Sequence, residues 1–182
     1  ETDKSLKGAV FGVYSKIDDS LICELTTGDD GTVVSDPIPY GEYYVKEITP
    51  PVGYNLNTNT FDISIESEKT YSVTVTDKLI KGKLKVIKTD GKTITKLAGA
   101  VFGVYRKDND SEVTRITTND DGEALTGNLT YGDYYFKELQ APEGYQLDGT
   151  RYDFNIDTEA KVYEYNIENH KIEATVKIIK TD

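Results

Sequence analysis

YGEYYVKEITPPVGY, residues Tyr40–Tyr54, returns with few changes as YGDYYFKELQAPEGY, residues Tyr131–Tyr145. The copies lie 91 residues apart, as do LKGAVFGVYSK (Leu6–Lys16) and LAGAVFGVYRK (Leu97–Lys107). KTYSVTVTDKLIKGKLKVIKTD (Lys69–Asp90) then returns as KVYEYNIENHKIEATVKIIKTD (Lys161–Asp182), at an offset of 92. A unit of about 90 residues occurring twice is a domain repeat, too long for the turn of a solenoid.

Each unit reads as all-β. AVFGVY, EYYVKEI, FDISIE and YSVTVT are short runs rich in Val, Ile, Tyr and Phe, bounded by Gly, Asp, Asn or Pro. TTGDDGTV and TTNDDGEAL carry Asp-Gly turn signals, PPVGY and APEGY close a strand with a rigid loop, and no segment holds a helical period. About seven strands in about 90 residues predict a small two-sheet sandwich with Greek-key connections. The expected boundaries are 1–80 for a first domain lacking most of its first strand, 81–172 for a complete second domain, and 173–182 for the first strand of a following repeat. DKLIKGKLKV joins the domains without a Gly/Ser or Pro-rich spacer, which predicts a stiff head-to-tail arrangement.

Composition excludes several classes of function. The 182 residues hold 21 Lys plus Arg against 32 Asp plus Glu, a net charge of -11 that is no footprint for nucleic acid. A 37% hydrophobic fraction with 14 Tyr is too apolar for a disordered acidic chain. The single Cys23 forms no intrachain disulfide, and the single His170 builds neither a histidine metal cluster nor a Ser-His-Asp triad. No cofactor or metal site is expected. No run approaches the roughly 20 apolar residues of a membrane span, so no membrane insertion is expected. With no signal peptide at the start, the chain reads as cytoplasmic or as an excised piece of an exported protein.

Period-two counting places polar residues in inward rows. Leu84, Val86 and Lys88 share a face; so do Tyr163, Tyr165, Ile167 and Asn169, and Tyr134, Phe136 and Glu138. The first unit repeats the pattern with Tyr43, Val45 and Glu47, and with Tyr71, Val73, Val75 and Asp77. An unpaired charge in a core is costly. Taken singly, each of these residues also reads as a strand end that reaches solvent or forms an ordinary ion pair, and duplication alone explains the recurrence.

Together these elements resemble the B-type domains of Gram-positive collagen-binding adhesins, the Cna-B family, which also occur in the shafts of sortase-assembled pili and have an immunoglobulin-like or prealbumin-like sandwich fold. The matching motifs are the first-strand KxD (Lys88, Thr89, Asp90), the GAxFxVY strand, the YGxYYxKE strand, the APxGY loop and the terminal strand ending in Asn or Asp. The resemblance implies a spontaneous amide between Lys88 and Asn169, promoted by Glu138. Burial favours the neutral Lys88 amine as nucleophile, and a protonated Glu138 would bond the Asn169 carbonyl and pass a proton to departing ammonia. Such a single-turnover self-modification is not enzyme catalysis in the usual sense.

In the first domain, Glu47 and Asp77 match the catalytic and acceptor positions, with water as the leaving product, but Glu1 stands where the motif requires lysine. The tail TVKIIKTD duplicates the missing strand, with Val176, Ile178 and Lys180 in its inward row. The chain is therefore expected to be cut from a longer array in shifted frame. Two readings follow. Residues 175–181 fill the first domain of another copy and Lys180 bonds to Asp77, or the tail is unordered and Asp77 stays free.

Other residues carry plainer readings. Cys23 aligns with Thr114 as a small, partly buried side chain, and Asp29, Asp30, Asp120 and Asp121 are turn formers before they are calcium ligands. The expected function is a structural stalk module of a Gram-positive surface protein, extracellular and wall-anchored, with neighbouring repeats as partners. A ligand-binding adhesin module recognising a host matrix protein is the alternative, and a catalytic enzyme ranks last.

Overall fold

The structure is a computed structural model that describes residues 5–182. The chain divides into two compact units, Glu1–Ile80 and Lys81–Asp182. Every regular element among the described residues is a strand.

In the second unit, β-branched and aromatic side chains alternate with polar ones, which suits a pleated surface buried on one face. β6 (Val101–Arg106), β7 (Glu112–Thr117), β10 (Gly132–Gln140) and β11 (Arg151–Ile156) form an antiparallel sheet in the order β11-β10-β6-β7. β5 (Lys81–Asp90), β8 (Glu123–Leu125) and β12 (Val162–Asn169) form a second, in the order β12-β5-β8, and the short β9 (Leu129–Thr130) also pairs with β5. The sheets share a core of Leu84, Val86, Phe102, Val104, Tyr134, Phe136, Phe154 and Ile156. Phe136 sits at its centre, edge-on to Tyr165 of β12 with ring centroids 5.1 Å apart. The sandwich expected from the sequence is present here, and the inward rows of β5, β10 and β12 have the expected phase.

Two features of this unit place the chemistry. β5 and β12, first and last in the unit, run parallel, with Ile167 opposite Lys88 and Asn169 opposite Asp90. β5 lies between β12 and β8, so Ile87 and Thr89 are buried along with the expected row.

Among its described residues, the first unit repeats one of the two sheets. β1 (Val10–Ser15), β2 (Leu21–Thr26), β3 (Gly41–Thr49) and β4 (Thr60–Ile65) pair in the order β2-β1-β3-β4, matching β7-β6-β10-β11. Residues 71–78, the counterpart of β12, keep alternating exposure but join no ladder, and residues 32–34, the counterpart of β8, join none either. In the second unit both of those strands pair through β5. Among the described residues of the first unit nothing takes the place of β5, so both lose their partner. Its core is correspondingly thin: Val13, Tyr43 and Val45 are buried, while Phe11, Leu25, Phe61, Ile63 and Ile65 are only partly covered. The expectation that Glu1 replaces the lysine of this unit lies outside the described residues.

Candidate functional site

Lys88, Glu138 and Asn169 meet inside the second unit. Each ends an inward row, on β5, β10 and β12 respectively, and none exceeds 3% exposure. Lys88 Nζ lies 3.5 Å from Glu138 Oε1, and Asn169 Nδ2 donates to Glu138 Oε2 at 3.0 Å. Three polar atoms of the trio, Lys88 Nζ, Glu138 Oε1 and Asn169 Oδ1, are buried without a hydrogen-bond partner. Buried polar groups are nearly always satisfied, so three orphans on mutually adjacent side chains call for an explanation. Burial lowers the Lys88 ammonium below its ordinary lysine value, with Glu138 only partly opposing that shift. The amine is thereby biased to its neutral, nucleophilic form.

The backbone fixes each member of the trio. Lys88 N–H donates to the Gly122 carbonyl at 2.7 Å, and Leu97 N–H donates to the Lys88 carbonyl at 3.0 Å. Gly122 has φ +69°, and a Cβ there would lie 2.6 Å from the Lys88 carbonyl oxygen, so the Asp-Gly turn needs glycine on both counts. The ladder between β10 and β6 shifts register between Glu138 and Gln140, an irregularity of the kind that re-aims side chains beside reactive sites. Asp148 N–H clamps Glu138 Oε2 at 2.7 Å, and the Gln146 carbonyl accepts Asn169 Nδ2 at 2.8 Å.

The amide orientation differs from the sequence expectation. Asn169 turns Nδ2, not its carbonyl oxygen, toward Glu138. The adjacent Gln146 carbonyl can only accept, which fixes the amide with its NH₂ group inward. Glu138 therefore faces the nucleophile's nitrogen with one oxygen and the leaving nitrogen with the other.

Sequence reasoning did not anticipate the support that Asp90 and Tyr145 give. Asp90 is buried at the end of β5, where Oδ1 accepts the Lys92 and Thr93 N–H groups and Oδ2 accepts the Tyr145 hydroxyl at 2.9 Å. These bonds hold its carboxyl far below the usual range. The Asp of KxD thus ties the Tyr of APxGY, and with it Gln146, to β5. Their co-occurrence in the two quoted motifs was the available signal. Beside the trio a cavity of about 280 Å³ opens, lined by Gln146, Asp148, Tyr152, Asn169 and His170. Burial, reinforced by its hydrogen bond to Asp148, pushes Tyr152 up to about 12.

The first unit holds the counterparts of Glu138 and Asn169, with no strand in the place of β5 among the described residues. Glu47 is buried, Asn57 N–H clamps its Oε2 at 2.8 Å as Asp148 clamps Glu138, and the ladder shifts register beside it. Asp77 faces it. Glu47 Oε1 and Asp77 Oδ1 are buried without partners, the atoms that correspond to Glu138 Oε1 and Asn169 Oδ1. Both carboxyls are raised above their ordinary range, chiefly by burial, and the two interact as a pair. Lys180 is exposed in the tail, which forms no strand.

The remaining candidates have ordinary surroundings. Cys23 is partly buried on β2, where desolvation pushes its thiol up. Asp30 bonds Thr32 in its turn, and Asp29 pairs with Lys7. Among the described residues no three metal-ligating side chains cluster.

Comparison with known proteins gives consistent matches. Residues 1–79 and 82–171 each match the family described as SpaA, a prealbumin-like fold domain. The collagen adhesin of Staphylococcus aureus is 29% identical over 169 residues, covering 88% of this chain and 13% of that protein. The trypsin-resistant surface T6 protein of Streptococcus pyogenes is 42% identical over 59 residues, 32% of this chain and 11% of that one. Among solved structures, the Bacillus anthracis TIE protein superposes with a TM-score of 0.86 at 31% identity, over 94% of this chain and 32% of that chain. The chain thus spans a small part of its relatives' length.

Proposed function

Because the chain belongs to the SpaA family of prealbumin-like fold domains, we propose that it is a load-bearing repeat of a Gram-positive surface adhesin or pilus, locked in its second unit by an amide between Lys88 and Asn169. The observation that carries this reading is the buried trio, with Glu138 between the lysine nitrogen and the amide nitrogen. The neutral Lys88 amine attacks Asn169 Cγ. As the new C–N bond forms, Glu138 takes a proton from the amine and delivers it to Nδ2, the old C–N bond breaks, and ammonia leaves. Folding supplies the proximity and the water-poor surroundings that a free lysine and asparagine lack. The adjacent cavity offers ammonia a way out. One turnover consumes both side chains, so the reaction matures the protein and acts on no substrate.

The mechanical consequence follows from topology. Chain enters the second unit on β5 and leaves after β12, so tension applied along the chain loads this parallel pair first. An amide between the two strands would carry that tension covalently, where a ladder of hydrogen bonds would otherwise shear. Neighbouring repeats are the natural partners, and extracellular wall association agrees with the surface proteins it resembles. A role in binding host matrix rests on likeness to the Staphylococcus aureus adhesin and on no separate feature of this chain.

Single-molecule stretching tests the reading. With the bond in place, the roughly 80 residues between Lys88 and Asn169 stay closed; in Lys88→Ala they extend by about 3.3 Å each, a step on the order of 250 Å. An equal step in both proteins would refute the covalent lock.

A further inference from the structure

Each unit gathers three polar side chains at one place, and the two sets differ by an exchange. In the second unit they are Glu138, Asp148 and Asn169; at the corresponding positions of the first they are Glu47, Asn57 and Asp77. The glutamate is common, while the amide and the second carboxyl trade places. The backbone is unchanged by the trade: Asp148 N–H donates to Glu138 Oε2 at 2.7 Å, and Asn57 N–H donates to Glu47 Oε2 at 2.8 Å. Each residue also closes the same local turn, with Thr150 N–H donating to Asp148 Oδ1 at 2.9 Å and Asn59 N–H donating to Asn57 Oδ1 at 3.0 Å. Duplication accounts for the shared turn. It does not account for a reciprocal exchange on two separate segments.

What the exchange moves is charge. Asp148 is half-buried at the cavity beside the trio, where the Tyr152 hydroxyl donates to its Oδ2 at 2.6 Å. Burial works against its ionisation, but the hydrogen bonds from Thr150 and Tyr152 hold the carboxyl below its ordinary range. Its charge acts on Lys88 through space. Asn57 is neutral: its Nδ2 donates at 3.1 Å to the carbonyl of Thr76, next to Asp77, and Phe61 stands in the place of Tyr152 without a hydroxyl. Each site thus holds two carboxyls and one amide. Two carboxyls out of water can share a proton or face one lysine; a third adds a charge without a partner. Glu168 also stands at the cavity rim, but it is exposed to water, as is His170.

We propose that residue 148 selects the acceptor: the charged Asp148 fits an amide at position 169, and a neutral side chain in its place fits a carboxyl there. A carboxyl at position 169, beside Asp148 and Glu138, holds Lys88 as its ammonium, which cannot attack. It also sets an oxygen against the Gln146 carbonyl, where Asn169 Nδ2 now donates at 2.8 Å. With a neutral residue at position 148 the site returns to two carboxyls and the amine is released. The Lys88 nitrogen then attacks Cγ of the acid form, Glu138 passes the amine's proton to the departing hydroxyl, the C–O bond breaks and water leaves in place of ammonia. Asp148 is a positioning residue that acts by its charge. The bond rests on the function proposed above; the charge coupling between positions 148 and 169 rests only on the exchange and its geometry.

The test uses the full chain unmutated, with Asp148→Asn, with Asn169→Asp, and with both, each made by cell-free synthesis and followed by intact mass. An amide acceptor loses about 17 Da as ammonia, and a carboxyl acceptor loses about 18 Da as water. Asp148→Asn should speed bond formation about tenfold or more in the Asn169→Asp chain, the equivalent of one pKa unit, and should not speed it in the unmutated chain. A merely structural role would change both acceptors by the same factor. That result, or no bond in either carboxyl variant while the unmutated chain loses about 17 Da, would overturn the proposal. Thermal unfolding in a Lys88→Met background reads the coupling without the reaction. At about pH 7, Asn169→Asp should lower Tm more when Asp148 is present than in the Asp148→Asn background, and equal losses would overturn the proposal. An unmutated chain that keeps its full mass would refute the Lys88 bond, and the thermal comparison alone would then decide the charge coupling.

Discussion

Lys88 Nζ and Glu138 Oε1 lie 3.5 Å apart with side chains 0% and 1% exposed. At that distance, out of water, the pair is an expensive arrangement for stability alone, since burying two charges costs several kcal/mol per ion before any attraction is counted. A neutral Lys88 amine, which burial favours, removes one of the two charges and is the nucleophile. On the proposed function the contact is the start of a reaction, which a structural ion pair at that cost would not explain.

Glu138→Ala leaves Lys88 and Asn169 in place without a proton carrier. The rate of bond formation should fall by about 10²–10⁴-fold, the usual contribution of general acid–base catalysis. Freshly folded protein should then keep its full mass for hours or longer, read by mass spectrometry over time.

Asn169→Ala prevents the cross-link while keeping the amine. Closing a loop of about 80 residues by a covalent bond restricts the unfolded chain by an amount worth about 4–5 kcal/mol in the chain-entropy account. For a domain near 100 residues, each kcal/mol moves Tm by about 4–8 °C. The second unit should therefore melt on the order of 20 °C lower, by calorimetry.

In that uncross-linked variant, pH dependence reports on the lysine. Burial lowers the folded Lys88 below its unfolded value near 10.4. Between the folded and unfolded values the unfolded chain binds the extra proton, so stability should rise with pH across that window and level off above it. Urea midpoints at a series of alkaline pH values check the sign, and the additional Lys88→Met substitution should flatten the slope.

For Glu47 and Asp77 the sign is opposite. Burial raises both carboxyls, so the folded first unit retains protons that the unfolded chain sheds near pH 4. Its stability should fall as pH rises from about 4 through the folded values. Asp77→Asn in a Lys180→Ala background should weaken that fall, as measured by thermal unfolding at pH 5 and pH 8.

Much of this was legible in the sequence because a strand has a two-residue period. The phases of Lys88, Glu138 and Asn169 could be counted from the apolar residues beside them. The burial of Ile87 and Thr89 could not, since it depends on β5 lying between two neighbours, and sheet order is set by tertiary pairing. The same nonlocality explains why the described residues of the first unit form four strands where about seven were expected of a complete unit. Residues 71–78 have a strand's sequence and a strand's alternation, but a strand exists only with a partner. The inward NH₂ of Asn169 was hidden because a backbone carbonyl, that of Gln146, orients it.

The most direct measurement is the intact mass of the denatured, purified chain at isotopic resolution, alongside Lys88→Ala. The account predicts a loss of about 17 Da in the unmutated chain, traced by peptide mapping to a branched fragment joining Lys88 to Asn169, and no such loss in the mutant. A full, unmodified mass after complete folding would contradict it.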